Sequence, residues 1–251
     1  MTITLFLTYS GLVSFITLIL SFIFFLMTKK NGVIDLFWGL GITTAILFLT
    51  HWFGFATTET RLIQFFVLLW GCRLCVFFIN RLLKEADDRR YQQLIKTSAI
   101  RLMIKQCFIQ APLQVLIVFT IYPFMHPLTA GQPIILISSI LFLIGFIGES
   151  IADYQLNQFK KSKTGICDIG LWKFSRHPNY FFECLIWFSI AVMSFNSAFF
   201  ILSFIGPLSI FLIMFFITGP YTEKCSLEKH GDLFKQYQSK TSYFFPWKQK
   251  S

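Results

Sequence analysis

Apolar runs of close to twenty residues recur along this 251-residue chain, each about the length that spans the hydrocarbon core of a bilayer. That recurrence predicts an all-α, polytopic membrane protein: a seven-helix bundle forming one membrane domain over residues 1–251. Composition agrees, since 55% of the residues are hydrophobic, 33 are Phe and only 14% are charged. Soluble domains typically carry about a quarter charged residues. The spans fall at about 5–28, 34–52, 62–82, 106–125, 133–155, 179–196 and 199–219, followed by a polar tail over 220–251. The first run lacks a basic leader and a small-residue cleavage site, so it is expected to be a retained helix. The six Cys lie mostly in or beside apolar runs, which argues against a disulfide framework. Cys72 and Cys75 form a CxxC with no His or second pair nearby, so they read as packing residues and no metal is expected.

The basic residues set the expected orientation. Lys29 and Lys30 follow the first span, seven more lie from Arg81 to Lys105, five from Lys160 to Arg176, and six in the tail. These make 20 of the 22 Lys and Arg, and only Arg61 falls in a loop on the other side. Such asymmetry predicts an outside N-terminus and a cytoplasmic C-terminus. It also accounts for the net charge of +10 without nucleic acid.

An ionisable side chain at bilayer depth costs at least roughly 2.5–3.5 kcal/mol on insertion scales, so each one needs a reason. Asp35 opens span two, Arg73 lies in span three, Glu149 and Asp153 in span five, and Glu183 in span six. Glu149 and Asp153 are one turn apart on one helix face, which continues through Asn157 to Lys160. Asn179 and Glu183 repeat that spacing. Interhelical hydrogen-bond pairing accounts for a single acid. Five charged groups placed mostly toward one side are accounted for more economically by a water-accessible cleft open to the cytoplasm. Such a cleft suits an anionic cytosolic ligand held by Arg and Lys, with carboxylates for hydroxyls or ring amides. "ADDRRYQQL" reads as a juxtamembrane segment whose cations meet anionic lipid heads. In "SRHPNYFFECLIWF", Pro178 suits the first helical position. That places Asn179 and Tyr180 in a first turn whose backbone N–H groups are free to meet a phosphate.

"GLWKFSRHPNYFFE" followed by "YTEKCSLEKHGDLFKQYQSKTSYFFPW" resembles the steroid 5-alpha-reductase C-terminal-like family of membrane proteins, most closely an uncharacterised bacterial branch. "NGVIDLFWGLG", "WGCRL", "NRLLKEADDRRYQQL" and a Gln before Pro in span four extend the resemblance over nearly the whole chain. It implies a bundle that encloses NADPH from the cytoplasmic side and passes a hydride to an activated double bond of a lipid-like substrate taken from the bilayer. A bacterial cytoplasmic membrane is the location it implies.

By position, the resemblance assigns the nicotinamide end of the cofactor to Asn179 and Glu183, with Asp153 and Glu149 in the same pocket. Arg176, His177 and Tyr180 stand at its rim, and Lys160 stands near the phosphates. Arg73, Arg81 and Arg90 match basic positions on span three and the loop beyond. The tail, with Tyr221, Glu223 and Tyr237, corresponds to a segment closing over the cofactor. Asp35 and Trp70 are the nearest matches to the Glu and Tyr that polarise the substrate ketone. Phe182 stands where relatives with "RHPNY" have Gly. Two further readings remain open: an S-adenosylmethionine-dependent methyltransferase of the isoprenylcysteine type, and a lipid-binding membrane protein without turnover.

Overall fold

The computed structural model describes residues 1–28, 30, 32–84, 99–127, 130–162 and 165–249. These form helices and turns, with no strand among the described residues. The helices are α1 (Ile3–Thr28), α2 (Gly32–Trp52), α3 (Thr58–Lys84), α4 (Ala99–Val118), α5 (Gln132–Ser162), α6 (Pro178–Val192), α7 (Ile205–Ile213), α8 (Gly219–His230) and α9 (Asp232–Lys240). Short 3-10 segments cover Phe119–Met125, Gly170–Lys173 and Phe200–Phe204, and a π turn covers Met214–Thr218.

Among the described residues, five stretches are long and apolar enough to cross a bilayer: Ile3–Thr28, Gly32–Trp52, Thr58–Asn80, Gln132–Lys161 and Phe200–His230. The expected spans at 106–125 and 179–196 correspond to shorter apolar helices, Ile109–Met125 and Pro178–Val192. Proline explains the first difference. Pro112 lies inside α4 and Pro123 inside the tighter 3-10 stretch that follows, and neither ring nitrogen can donate to the helical ladder.

The chain groups into two units. The first comprises Met1–Gly131 with Ser194–Gly206. Here α1 packs on α2 and α4, and α2 packs on α3. The buried side of α1 is Phe6, Ser10, Ser14, Thr17, Leu18, Ser21 and Phe25, a stripe of mostly small side chains that lets two helices approach closely. Two of its hydroxyls bond within their own helix, Ser10 Oγ to the Phe6 carbonyl at 2.7 Å and Thr17 Oγ1 to the Ser14 carbonyl at 2.9 Å. The opposite side, including Leu12, Phe15, Ile19 and Ile23, is exposed, as suits contact with lipid. Phe6, Phe119 and Tyr122 form an aromatic cluster, and the His126 ring lies tilted against Phe199 with centroids 4.4 Å apart. Gly206 lies directly against Thr120, where a methyl group would also stand 2.6 Å from the Ile117 carbonyl.

The second unit comprises Gln132–Met193 with Pro207–Ser251. Its centre is the α5–α6 pair. Gly145 and Gly148 give α5 a flat patch: a Cβ at Gly145 would meet Ile186 at 2.8 Å, and one at Gly148 would meet the Phe182 ring at 2.5 Å. Phe182, the large residue where related motifs carry Gly, therefore has its space supplied by a glycine on the facing helix.

The connection from α5 to α6 folds back on α5. Trp172 Nε1 donates to the Ala152 carbonyl at 3.0 Å, and the Leu171 N–H donates to Gln155 Oε1 at 2.9 Å. Phe159, Cys167 and Trp172 close a small apolar core with Leu156 beneath this turn.

Candidate functional site

Pro178 takes the first helical position of α6, and no side chain caps that end. The positive end of the helix dipole therefore has no side-chain acceptor of its own. His177 precedes it, buried, with Nε2 3.3 Å from Glu223 Oε1 and its ring stacked on Tyr180 at 5.0 Å. Asn179 Nδ2 donates to Asp153 Oδ1 on α5 at 3.3 Å. Its carbonyl oxygen, Oδ1, is covered and has no hydrogen-bond partner among the described residues. Tyr180 and Thr222 share a hydrogen bond of 3.3 Å. Because the Thr222 hydroxyl donates to the Thr218 carbonyl, the Tyr180 hydroxyl is the donor between them. One turn further along α6, Glu183 is buried and accepts from Trp187 Nε1 at 2.8 Å. Glu149 is likewise buried on α5.

The tail completes this end. Tail residues 242–247 lie along residues 174–176, with the Arg176 N–H donating to the Ser242 carbonyl at 2.8 Å and the Trp247 N–H to the Phe174 carbonyl at 2.9 Å. Ser175 Oγ donates to the Phe244 carbonyl at 2.7 Å. The Arg176 guanidinium locks the arrangement. Its Nε and Nη2 meet the two Glu223 oxygens at 2.6 and 3.4 Å, and Nη1 donates to the carbonyls of Gln238 (3.0 Å) and Thr241 (2.7 Å). It also lies 5.3 Å from the centre of the Tyr243 ring.

Tyr243 donates to the Phe215 carbonyl in the π turn at 2.7 Å, and Tyr237 donates to the Trp172 carbonyl at 2.6 Å. Burial pushes the Tyr243 phenol up to about 12 and raises that of Tyr237 as well. Both hydroxyls therefore keep their protons, and stay donors, at neutral pH.

The second unit thus brings together Glu149, Asp153, Arg176, His177, Asn179, Tyr180, Glu183 and Tyr237. Lys160 is exposed toward the C-terminal end of α5. The first unit holds Asp35 at the start of α2, Trp70 buried on α3, and Arg73 partly exposed on α3. Arg81 lies in α3, with its side chain outside the described residues, as is the whole of Arg90. Thr222, Gln238, Thr241 and Tyr243 are contributors that the sequence does not single out. Only the aromatic "SYFFPW" hints at a tail that packs rather than one that stays in water.

Among curated proteins and solved structures, none matches the chain. One family model, described as a protein of unknown function (DUF1295), matches residues 21–241.

Proposed function

We propose that this chain, which belongs to the DUF1295 family, is a membrane-embedded reductase that binds NADPH at the start of α6 and reduces an activated carbon–carbon double bond of a lipid-like substrate. The observation that carries this reading is the Asn179–Asp153 pair. Asn179 donates one amide N–H to Asp153, and its carbonyl oxygen stays covered and unbonded among the described residues. An amide oxygen in that condition accepts from an N–H, which a nicotinamide carboxamide offers. Leaving it without a donor costs about 1–3 kcal/mol, so a ligand that supplies one gains that amount.

The surrounding groups fit the same ligand. The uncapped end of α6 favours negative charge, and Lys160 and Lys161 are exposed at the end of α5, where they suit phosphates. The cofactor supplies the hydride, and the chain supplies placement and exclusion of water. Glu183 and Trp187 fix each other's side chains within α6. The zipped tail shields the face that carries His177 and Arg176.

The test is thermal stability of the protein purified in detergent, with NADPH, NADH or S-adenosylmethionine added. NADPH is expected to raise the melting temperature in a concentration-dependent way. Asn179→Ala is expected to weaken that effect about tenfold or more, matching the 1–3 kcal/mol for the lost acceptor. Stabilisation by S-adenosylmethionine alone, or an unchanged NADPH response in Asn179→Ala, overturns the reading.

The same proposal includes seven membrane crossings, with the N-terminus outside and the C-terminus in the cytoplasm. It is supported by the 20 of 22 basic residues that fall within or between the segments assigned to one side. A C-terminal reporter active only in the cytoplasm is expected to give signal, and a signal from the far side of the membrane excludes this topology.

A further inference from the structure

We infer that Gln110 and Gln114 on α4 form a second binding site, in the first unit, for the hydroxyl group of a membrane-soluble alcohol. The two residues are one turn apart and so share a helix face. Gln114 is 0% exposed, and its Nε2 donates to the carbonyls of Phe37 (3.4 Å) and Trp38 (3.3 Å) on α2. Those two acceptors fix the amide's orientation, because only its nitrogen can face carbonyl oxygens. Gln114 Oε1 is therefore aimed elsewhere, and it is covered without a hydrogen-bond partner among the described residues. Gln110 Oε1 is in the same condition, although its side chain as a whole is partly exposed. The face thus carries two covered oxygens, one on the partly exposed Gln110 and one on the fully buried Gln114.

Two described neighbours do not supply the missing donor. Pro112, between the two residues, has no N–H. Thr17 Oγ1 stands 2.8 Å from where a Cβ on Gly41 would be, but its proton is spent on the carbonyls of Val13 (3.1 Å) and Ser14 (2.9 Å). Gly41 itself has no Cβ, and one would lie 2.6 Å from Gln114 Nε2 and 2.8 Å from Oε1. The amide keeps its place only because that position is glycine.

Two amide oxygens on one face, with the Gln114 amide N–H groups already used, select a ligand that brings its own proton. A ketone or ether offers only lone pairs and leaves both oxygens without a donor. A hydroxyl bonds to one oxygen at a time, and its apolar chain suits the surrounding helices. This site stands independently of the reductase reading, since it involves neither NADPH nor any residue of the second unit.

The experiment is photolabelling of the purified full chain with a diazirine-bearing long-chain primary alcohol, competed by hexadecanol or by its methyl ether. Labelling is expected on peptides of α2 and α4, with the alcohol competing at least tenfold better than the ether. Gln114→Leu and Gln110→Leu are each expected to lower the competed labelling several-fold. Gln110 makes no helix-to-helix bond described here, so its variant decides the matter where Gln114→Leu fails to fold. Equal competition by alcohol and ether, or unchanged labelling in Gln110→Leu, overturns the proposal; both are what a bridging water at these oxygens would produce.

Discussion

Replacing Arg176 by Ala is expected to release the tail and destabilise the second unit by about 3–5 kcal/mol, the usual consequence of removing one partner from a buried charge pair. Arg176 and Glu223 are each only 13% exposed. Without the guanidinium, Glu223 keeps a desolvated charge beside His177, and the carbonyls of Gln238 and Thr241 lose their donor. Arg176→Lys is expected to recover little, because an ammonium cannot reproduce a planar fork reaching a carboxylate and two carbonyls together. Thermal unfolding gives the size of the loss. An increase in trypsin cleavage at Lys235 and Lys240, which lie on the helical, docked tail of the native protein, gives its location. Adding Glu223→Gln to Arg176→Ala removes the stranded charge and is expected to restore part of the stability. A double variant as unstable as the sum of the two single losses would show that the pair is not coupled.

In the first unit, Gly206→Ala is expected to cost about 3 kcal/mol, at the upper end of the ordinary range for overpacking. The added methyl would press on the Thr120 hydroxyl and stand 2.6 Å from the Ile117 carbonyl. Neither neighbour can yield cheaply. Thr120 is fully buried and donates to that same carbonyl at 2.7 Å, so rotating it away leaves both groups unsatisfied. Thr120→Ala in the same chain is expected to relieve part of the penalty. Gly11→Ala is the control, since a Cβ there meets nothing within 4 Å. Thermal unfolding of the three variants checks this, and a Gly206→Ala protein as stable as Gly11→Ala would refute the packing argument.

The long helices were readable because a bilayer-spanning run needs nothing but local composition; α1 and α2 keep close to the expected spans, whereas α5 runs seven residues past the expected end at 155, to Ser162. The break near Met125 was written in Pro112 and Pro123, but hydropathy averages over single residues and passes across both. The site was legible as a set of residue types on two helix faces, Glu149 with Asp153 and Asn179 with Glu183, because the i,i+4 spacing is local. The partners of those residues were not. Arg176 looks like a phosphate ligand at the mouth of a cleft, yet its guanidinium is committed to Glu223, 47 residues away, and to two tail carbonyls. No periodicity encodes a pairing at that separation. Phe182 and Gly148 are a large-for-small exchange across two helices, which becomes intelligible only once the helices are side by side. The two oxygens of Gln110 and Gln114 are invisible for the same reason: whether an amide oxygen is bonded depends on the facing helix.

The clasp between residues 174–176 and 242–247 has a consequence for biosynthesis. The segment ahead of α6 lacks its tail partner until residues 242–247 have been made, some seventy residues after His177. At translation rates of about 5–20 residues per second, that is a delay of roughly 4 to 14 seconds. During that interval α5 and α6 can already pair through Gly145 and Gly148, while Arg176 waits beside the membrane without Glu223. The two helices are thus available to pair early, whereas the rim around His177 can close only after residues 242–247 have followed.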